Sequence, residues 1–300
     1  MKAVTKITFT DESGEKFFGE GPCRLLRAVE KTGSLRAAAM EMGMAYSKAT
    51  KLIKQAELHL GFSLTTRYAG GKAGGGSVLT PEGSRWLSQY EAYRDACVRA
   101  NQALYRQHFP KIGCVIMASG MGKRFGGNKL MADFRGKPMV QRAIDATENL
   151  FSKRVVVTRH ESVAALCRKQ HVDVVLHSQP YRSDTVRLGL EALGDLDACM
   201  FLPGDQPLLR RETVGQLIDA WKQSPHQMIR PVYEDTEGSP VIFPSWLFSE
   251  LMNLPEGKGG GVVIQKHIHD VLRVSVSNPF ELADADTPEM LGMLESFCRD

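Results

Sequence analysis

Cys114-Val115-Ile116-Met117-Ala118 is a short apolar run that passes without a break into Ser119-Gly120-Met121-Gly122-Lys123-Arg124. A run of that length bounded by glycine has the profile of a buried parallel strand. The glycines behind it let backbone N–H groups approach phosphate oxygens, and the cations add the charge that a triphosphate needs. It is not a Walker loop, because Gly-x-x-x-x-Gly-Lys-[Ser/Thr] is absent. Arg124 and Phe125 also stand where a Rossmann fingerprint has its last glycine. Taken alone, such a turn is as compatible with binding nothing as with binding a nucleotide.

Its surroundings narrow the choice. Further strand-like runs lie at 154–158, 172–176 and 198–202, with helix-like stretches at 138–150, 161–170 and 184–194 between them. Strands alternating with helices predict a parallel sheet with right-handed crossovers and a ligand site at the strands' C-terminal ends. Phe201-Leu202 leads directly into Pro203-Gly204-Asp205-Gln206-Pro207, so Asp205 falls at such an end. A carboxylate there suits a divalent cation bridging phosphates; a turn-stabilising aspartate is the other reading. Asp284 and Asp286 stand just ahead of Thr287-Pro288, a helix start, and helix capping would account for one of them.

Three hundred residues predict two domains, placed at 1–109 and 110–300. The first 110 residues carry 16 Lys+Arg against 10 Asp+Glu, whereas the remainder has 22 against 24, so the whole basic excess lies in the first third. A polyanion would dock there. That segment reads as a hairpin around Asp11-Glu12-Ser13-Gly14, then a helix from Pro22 to Gly33. A second helix follows from Ser34 to Gly43, and a third from about Ala45 to Leu60. Three short helices with glycine turns describe a helix-turn-helix whose third helix enters a major groove. Leu64–Arg67 and Ser77–Thr80 around a glycine-rich tip make a wing, and Pro81 opens a long helix to about Gln107 with Trp86, Leu87, Tyr90, Tyr93 and Val98 as its apolar stripe. Such a helix serves as a dimer seam or packs on its own domain.

Apolar content of 43% and charged content of 24% are ordinary for a soluble globular chain. No run approaches the length of a membrane span, and no apolar region backs Met1–Lys6 as a signal peptide would. The six cysteines contain no Cys-x-x-Cys pair. A reducing cytoplasm is the expected setting, with no membrane partner.

Residues 5–108 resemble the N-terminal winged-helix domain of the molybdate-responsive regulators (ModE type). The matching features are Gly33-Ser34, Tyr46-Ser47-Lys48 at the head of the recognition helix, and the doubled-glycine wing closing on Leu79-Thr80. LysR-type regulators share the helix-turn-helix without that wing. The resemblance implies DNA contacts from Tyr46, Ser47, Lys48, Lys51 and Lys72 and a homodimer through the long helix. The molybdate-binding domains of those regulators are replaced here, so molybdate sensing is not implied.

Residues 111–300 resemble the MobA-like NTP transferases of molybdenum cofactor maturation. The nucleotide motif reads Met117-Ala118-Ser119-Gly120-Met121-Gly122-Lys123-Arg124-Phe125-Gly126 with Lys129 behind it, and the family's Gly-Asp-x-Pro reads Gly204-Asp205-Gln206-Pro207. Asp284-Ala285-Asp286-Thr287-Pro288 matches a third motif, and Gly238-Ser239-Pro240 stands where Gly-His-Pro marks the acceptor site. The wording of these motifs is that of the cytidylyltransferase branch (MocA type). Arg182–Leu190 is similar to the base-contacting segment of the cytidylyltransferase of isoprenoid precursor synthesis.

The resemblance implies an N-terminal winged helix-turn-helix with a long dimer-type helix, then an α/β three-layer nucleotidyltransferase with a mostly parallel Rossmann-like sheet. It implies transfer of CMP from CTP to molybdopterin with Mg²⁺, GTP being the less favoured nucleotide and a molybdoenzyme a recipient of the product. Arg124, Lys129 and Asp205 would be catalytic. Ala118, Ser119, Gly120, Gly122, Lys123, Arg124, Lys129, Asp184, Thr185 and Asp205 would bind the nucleotide. Asp205, Asp284 and Asp286 would hold the metal, and Gly238, Ser239 and Pro240 the acceptor. Ser119 stands where the family has Ala or Gly, Ser239 where it has His, and Glu256–Gly261 where an acidic-Gly-Ala-Arg element is usual. These departures keep two alternatives open: a molybdenum-linked regulator whose transferase-like half is a ligand sensor, and a guanylyltransferase or other NTP transferase with another phosphorylated acceptor.

Overall fold

The computed structural model describes residues 3–68, 76–122 and 124–297. The chain forms two compact units, Met1–His108 and Phe109–Asp300. Lys72 and Lys123 lie outside the described residues.

In the first unit β1 (Thr8–Thr10) and β2 (Lys16–Gly19) pair antiparallel. They lead into α1 (Glu20–Thr32), α2 (Leu35–Glu41) and α3 (Tyr46–Leu60). The wing follows as β3 (Thr65–Tyr68) antiparallel to β4 (Gly76–Leu79), and α4 (Pro81–His108) closes the unit. Helix α1 starts at Glu20, so Pro22 sits inside its first turn; the N–H that proline lacks would have no intrahelical partner there. Gly33 ends α1 in the left-handed region (φ 66°), and the Ser34 side chain caps α2 by accepting from the Ala37 N–H at 3.4 Å. The handover needs both residues: glycine takes the left-handed φ without steric cost, and serine satisfies an orphan N–H of the next helix.

Phe18, Leu25, Leu26, Val29, Ile53 and Leu87 are buried in one core, where the Phe18 and Tyr90 rings meet edge-on at 5.0 Å. Tyr90 also donates its hydroxyl to the Ile7 carbonyl at 3.0 Å. The apolar stripe of α4 is buried only at Leu87 and Tyr90; Tyr93 is 52% exposed, as is much of Leu104 further along.

The second unit opens with β5 (Ile112–Ala118), a small hairpin of β6 (Asp133–Phe134) and β7 (Lys137–Pro138), and α5 (Met139–Ala146). Next come β8 (Lys153–Thr158), α6 (Glu161–Lys169), β9 (Val174–Leu176), α7 (Arg182–Leu193), β10 (Ala198–Pro203) and α8 (Arg211–Gln223). β11 (Met228–Tyr233), β12 (Thr236–Glu237), β13 (Val241–Pro244), α9 (Phe248–Met252), α10 (Gly261–Lys266), β14 (Val271–Ser275) and α11 (Pro288–Ser296) complete it. Among the described residues one eight-stranded sheet runs β12-β11-β13-β10-β5-β8-β9, with β14 added on β11. The pairs β10–β5, β5–β8, β8–β9 and β11–β14 are parallel, and the antiparallel pairs all involve β12 or β13.

Strand β5 shows how the layers form. Cys114, Ile116 and Ala118 face a core shared with α5, α6 and α8, whereas Val115 faces the opposite core with α7, α9 and α10. Side chains alternate with period two, so a strand buried on both faces must be apolar throughout. The result is a three-layer α/β unit. Parallel β10, β5 and β8 end side by side, and the loops leaving their C-terminal ends are neighbours.

Candidate active site

Those three loops build a cleft of about 500 Å³. The loop after β5 is shaped by its neighbour β8. Thr158 donates its hydroxyl to the Ala118 carbonyl at 2.8 Å, Arg159 Nε donates to the Ser119 carbonyl at 3.0 Å, and His160 Nε2 donates to the Gly120 carbonyl at 2.8 Å. Three successive carbonyls are thus held by three successive side chains. The amides of Gly120, Met121 and Gly122 have no partner among the described residues. Gly122 adopts φ +57°, and a Cβ there would lie 2.4 Å from the Gly127 carbonyl oxygen, so only glycine closes this turn.

Ser119 Oγ donates to the Val157 carbonyl at 3.1 Å and accepts from His177 Nε2 at 2.9 Å. Burial, and after it the charge of Arg159, hold the His177 imidazole below its usual pKa. A neutral ring that donates through Nε2 leaves Nδ1 as an acceptor, and that atom is buried without a partner among the described residues.

Lys129 is 6% exposed. Its Nζ donates to Asp205 Oδ2 at 2.5 Å and to Asp286 Oδ1 at 2.8 Å. Burial alone would lower the Lys129 pKa, but the charge of Asp205 and the two hydrogen bonds outweigh it and hold the ammonium above its usual range. The bond from Lys129 holds Asp286 below the usual carboxylate range, and the charges of Lys129 and Arg124 act the same way; Arg124 Nη2 lies 2.8 Å from Asp286 Oδ2.

Asp284 behaves oppositely. It is open to water at the cleft but surrounded by protein, and that crowding, with the negative charge of Asp205 and then Asp286, raises its pKa. Its Oδ1 accepts from Gln206 Nε2 at 3.0 Å. Neither acid caps α11, because the Thr287 side chain does so by accepting from the Met290 N–H at 3.2 Å. Both line the cleft instead. The segment that carries them is anchored from below by buried Glu281, which takes Arg210 Nε at 2.9 Å and the Thr213 hydroxyl at 2.5 Å.

The cleft wall includes Ser119, Gly120, Arg124, Lys129, Thr185, Asp205, Ser239, Asp284 and Asp286 of the residues singled out in the sequence. Ala118, Gly122, Gly238 and Pro240 support the wall without lining it. Asp184 serves its own helix instead, since its Oδ2 accepts the Tyr181 N–H at 3.1 Å and caps α7. Thr185, one residue on, is buried, and its Oγ1 has no partner among the described residues. Arg159, Tyr181 and Arg182 also line the cleft, and His160 and His177 brace it. Of these, Arg159 and His160 directly follow β8, so the rule that sites gather at strand C-termini would have found them.

A second cavity of about 510 Å³ adjoins the first and shares Met117, Arg182, Pro203 and Ser239 with it. Val186, Phe201, Val241, Phe243 and Ile264 supply apolar walls, and Gly257–Gly261 form one side. Arg230 donates Nε to the Gly238 carbonyl at 2.9 Å, and Glu237, paired with Arg230, also accepts from Arg273 Nε at 2.6 Å. The Gly238-Ser239-Pro240 turn is fixed by that network.

In the first unit Tyr46, Ser47, Lys48, Lys51 and Lys54 are exposed on α3. Arg67 of the wing donates to the Tyr46 hydroxyl at 3.1 Å, and the Arg36 guanidinium lies 5.6 Å from the centre of the same ring. Both arginines add to the basic face and were not singled out by the sequence. Among the described residues no helix is long and apolar enough to cross a membrane.

Comparison with known proteins agrees with this division. Residues 23–84 match the model for the bacterial regulatory helix-turn-helix protein, lysR family. A 103-residue stretch, 33% of this chain, is 36% identical to 3-deoxy-manno-octulosonate cytidylyltransferase of Helicobacter pylori (strain G27), covering 42% of that protein. The chain therefore spans less than half the length of that relative. A 68-residue stretch, 23% of this chain, is 43% identical to the molybdenum-pterin-binding protein MopB of Rhodobacter capsulatus, covering 25% of it. Among solved structures, Rv0371c of Mycobacterium tuberculosis superposes with TM-score 0.57 at 23% identity over 62% of this chain and 98% of that one. Its complex with manganese gives 0.53 at 21% identity over the same shares. These two likenesses show the fold. Residues 114–271 match the model for the MobA-like NTP transferase domain, and since that stretch is more than half of the chain, the protein belongs to the MobA-like NTP transferase family.

Proposed function

We propose that the second unit is a Mg²⁺-dependent cytidylyltransferase that moves CMP from CTP to the phosphate of molybdopterin and releases pyrophosphate, and that the first unit binds DNA. The carrying observation is Lys129 held between Asp205 and Asp286 at the end of β10, in a cleft that opens into a second, apolar-walled cavity. Nucleotidyl transfer needs positioning and charge neutralisation more than covalent help from side chains. Free amides at Gly120–Gly122 with Arg124 and Lys129 suit the triphosphate, and the unpartnered Thr185 hydroxyl suits a polar edge of the base.

The residues present fit a divalent ion. Asp205, Asp284 and Asp286 offer hard oxygens, an ammonium already occupies a cation position between two of them, and the third has its pKa raised by the protein crowded around it and its acidic neighbours. Bound there, Mg²⁺ would neutralise phosphate charge. The manganese in the Rv0371c complex supports a divalent ion, and the cytidylyltransferase relative supports CTP. The stretch similar to MopB supports the molybdenum link.

A second reading keeps the chemistry and changes the acceptor to an acidic sugar, which the identity to the octulosonate cytidylyltransferase favours. Pyrophosphate release with Mg²⁺ and CTP or GTP, with molybdopterin or octulosonate added, separates the readings. Release only with CTP and molybdopterin supports the proposal. Nucleotide binding without release under all four conditions would make the unit a sensor instead. For the first unit, exposed Tyr46, Ser47, Lys48 and Lys51 on α3, with Arg36 and Arg67 beside Tyr46, support a DNA face. Exposed Tyr93 and Leu104 on α4 support a homodimer seam.

A further inference from the structure

Four cations line the cleft among the described residues: Arg124, Lys129, Arg159 and Arg182. Three are already engaged. Arg124 pairs with Asp286, Lys129 bridges Asp205 and Asp286, and Arg159 holds the carbonyls of Ser119, Gln179 and Pro180. The Arg182 side chain is exposed and makes neither a hydrogen bond nor an ion pair among the described residues.

Its position is equally distinctive. Met117, Arg182, Pro203 and Ser239 are the residues common to the two cavities, and Arg182 is the charged one among them. It is the first residue of α7, so it projects from a helix N-terminus, where the helix dipole also favours negative charge. Gly259 packs against its stem: a Cβ there would stand 3.2 Å from Arg182 Cδ and Nε, so the glycine leaves room for the arginine at this junction.

We infer that Arg182 is a catalytic residue that contacts the phosphate undergoing transfer, an inference that rests on the nucleotidyl-transfer reading above. With a nucleotide in the first cavity and a phosphorylated acceptor in the second, the reacting groups meet at the boundary. There an oxygen of the acceptor phosphate dianion bonds to the α-phosphorus. The bond from that phosphorus to the oxygen bridging to the β-phosphorus breaks, and its electron pair leaves with pyrophosphate. Negative charge concentrates on the α-phosphoryl oxygens in between, beside a planar guanidinium with its donors still free. An uncommitted fork at that point stabilises the transition state more than either ground state.

The test is steady-state kinetics of the full chain with CTP, Mg²⁺ and acceptor for wild type, R182A and R182K, with CTP-induced thermal shift as a check that the variants fold and bind. In R182A kcat should fall on the order of 10²-fold or more, the scale of losing one preorganised donor, while both KM values stay within about threefold. R182K should recover part of that loss, and added guanidinium ion should partly rescue R182A. An active wild type with R182A equally active overturns the inference alone. So does a loss confined to one KM, which would make Arg182 a binding residue of one cavity. A wild type that binds CTP but releases no pyrophosphate with any acceptor overturns the transfer reading and this inference together.

Discussion

Lys129 and Asp286 meet at 2.8 Å across the cleft, and the same ammonium holds Asp205 at 2.5 Å, so one buried lysine balances two carboxylates from separate loops. Removing one member of such a set leaves uncompensated charge. In K129M the two carboxylates lose their shared cation. Manganese affinity in the absence of nucleotide should rise, read by calorimetry or by the spin-resonance signal of free Mn²⁺. Turnover should fall by about 10²–10³, the scale of losing one preorganised charge. Unchanged or weaker manganese binding would show that the lysine does not compete with the ion.

Asp205→Asn keeps the shape of the side chain and removes its charge. Mg²⁺-dependent pyrophosphate release should drop on the order of 10²-fold or more. The thermal unfolding midpoint should stay close to wild type, since Lys129 retains Asp286. Near-full turnover in D205N would remove Asp205 from the metal assignment.

The two acids near the helix start respond to pH in opposite senses. Asp286 is held below its usual 3.8, so its stabilising contribution is fully present above 3.8 and is lost as pH falls through the lowered folded value. Asp284 is held above 3.8, so its ionised form costs stability at neutral pH, and that cost disappears as pH falls through the raised value. In the proposed metal site Asp284 must be ionised to take part in holding Mg²⁺. Mg²⁺ affinity, followed by thermal shift from about pH 4 to 7, should therefore decline on acidification before an ordinary aspartate would titrate. D284N should flatten that decline, and a wild-type profile unaffected by D284N would refute the assignment.

Gly122→Ala places a methyl against the Gly127 carbonyl in a left-handed conformation. The conformation alone costs about 1–2 kcal/mol, and the clash adds to it. Nucleotide affinity should fall and the unfolding midpoint should drop by several degrees. A variant with wild-type CTP binding would mean that the turn tolerates rearrangement.

On α3, K48A and K51A should weaken DNA binding at all sequences and reduce the salt slope by about one for each phosphate that is no longer neutralised. A mobility-shift series at increasing salt measures this. Absence of any shift with the wild type at low salt would make the first unit a scaffold.

Much of both units is legible in the sequence because local chemistry decides it. Gly33-Ser34 stops one helix and caps the next, and the apolar run before Ser119 is buried on both faces of the sheet. Asp205 at a strand end follows from the same logic. What stays hidden is set by contacts between distant segments. Helix capping by Ser183 or Asp184 is legible in the sequence, but that Asp184 takes the cap while Thr185 turns in to the cleft is not. Thr287, and neither neighbouring acid, caps α11 because its side chain is the one aligned with the Met290 amide. Arg159 and His160 at the end of β8 fall under the strand-end rule, whereas the bracing of Ser119 by His177 depends on β9 lying beside β8 and β8 beside β5, which is tertiary information.

The pinning of the Ala118, Ser119 and Gly120 carbonyls by Thr158, Arg159 and His160 makes the loop after β5, the proposed nucleotide loop, a two-part object. Grafting that loop alone from a relative would set its carbonyls against clamps that belong to a different loop conformation. Exchange of nucleotide preference in this fold is therefore a matter of transplanting two segments as a unit, and a chimera that carries only the first should bind no nucleotide well.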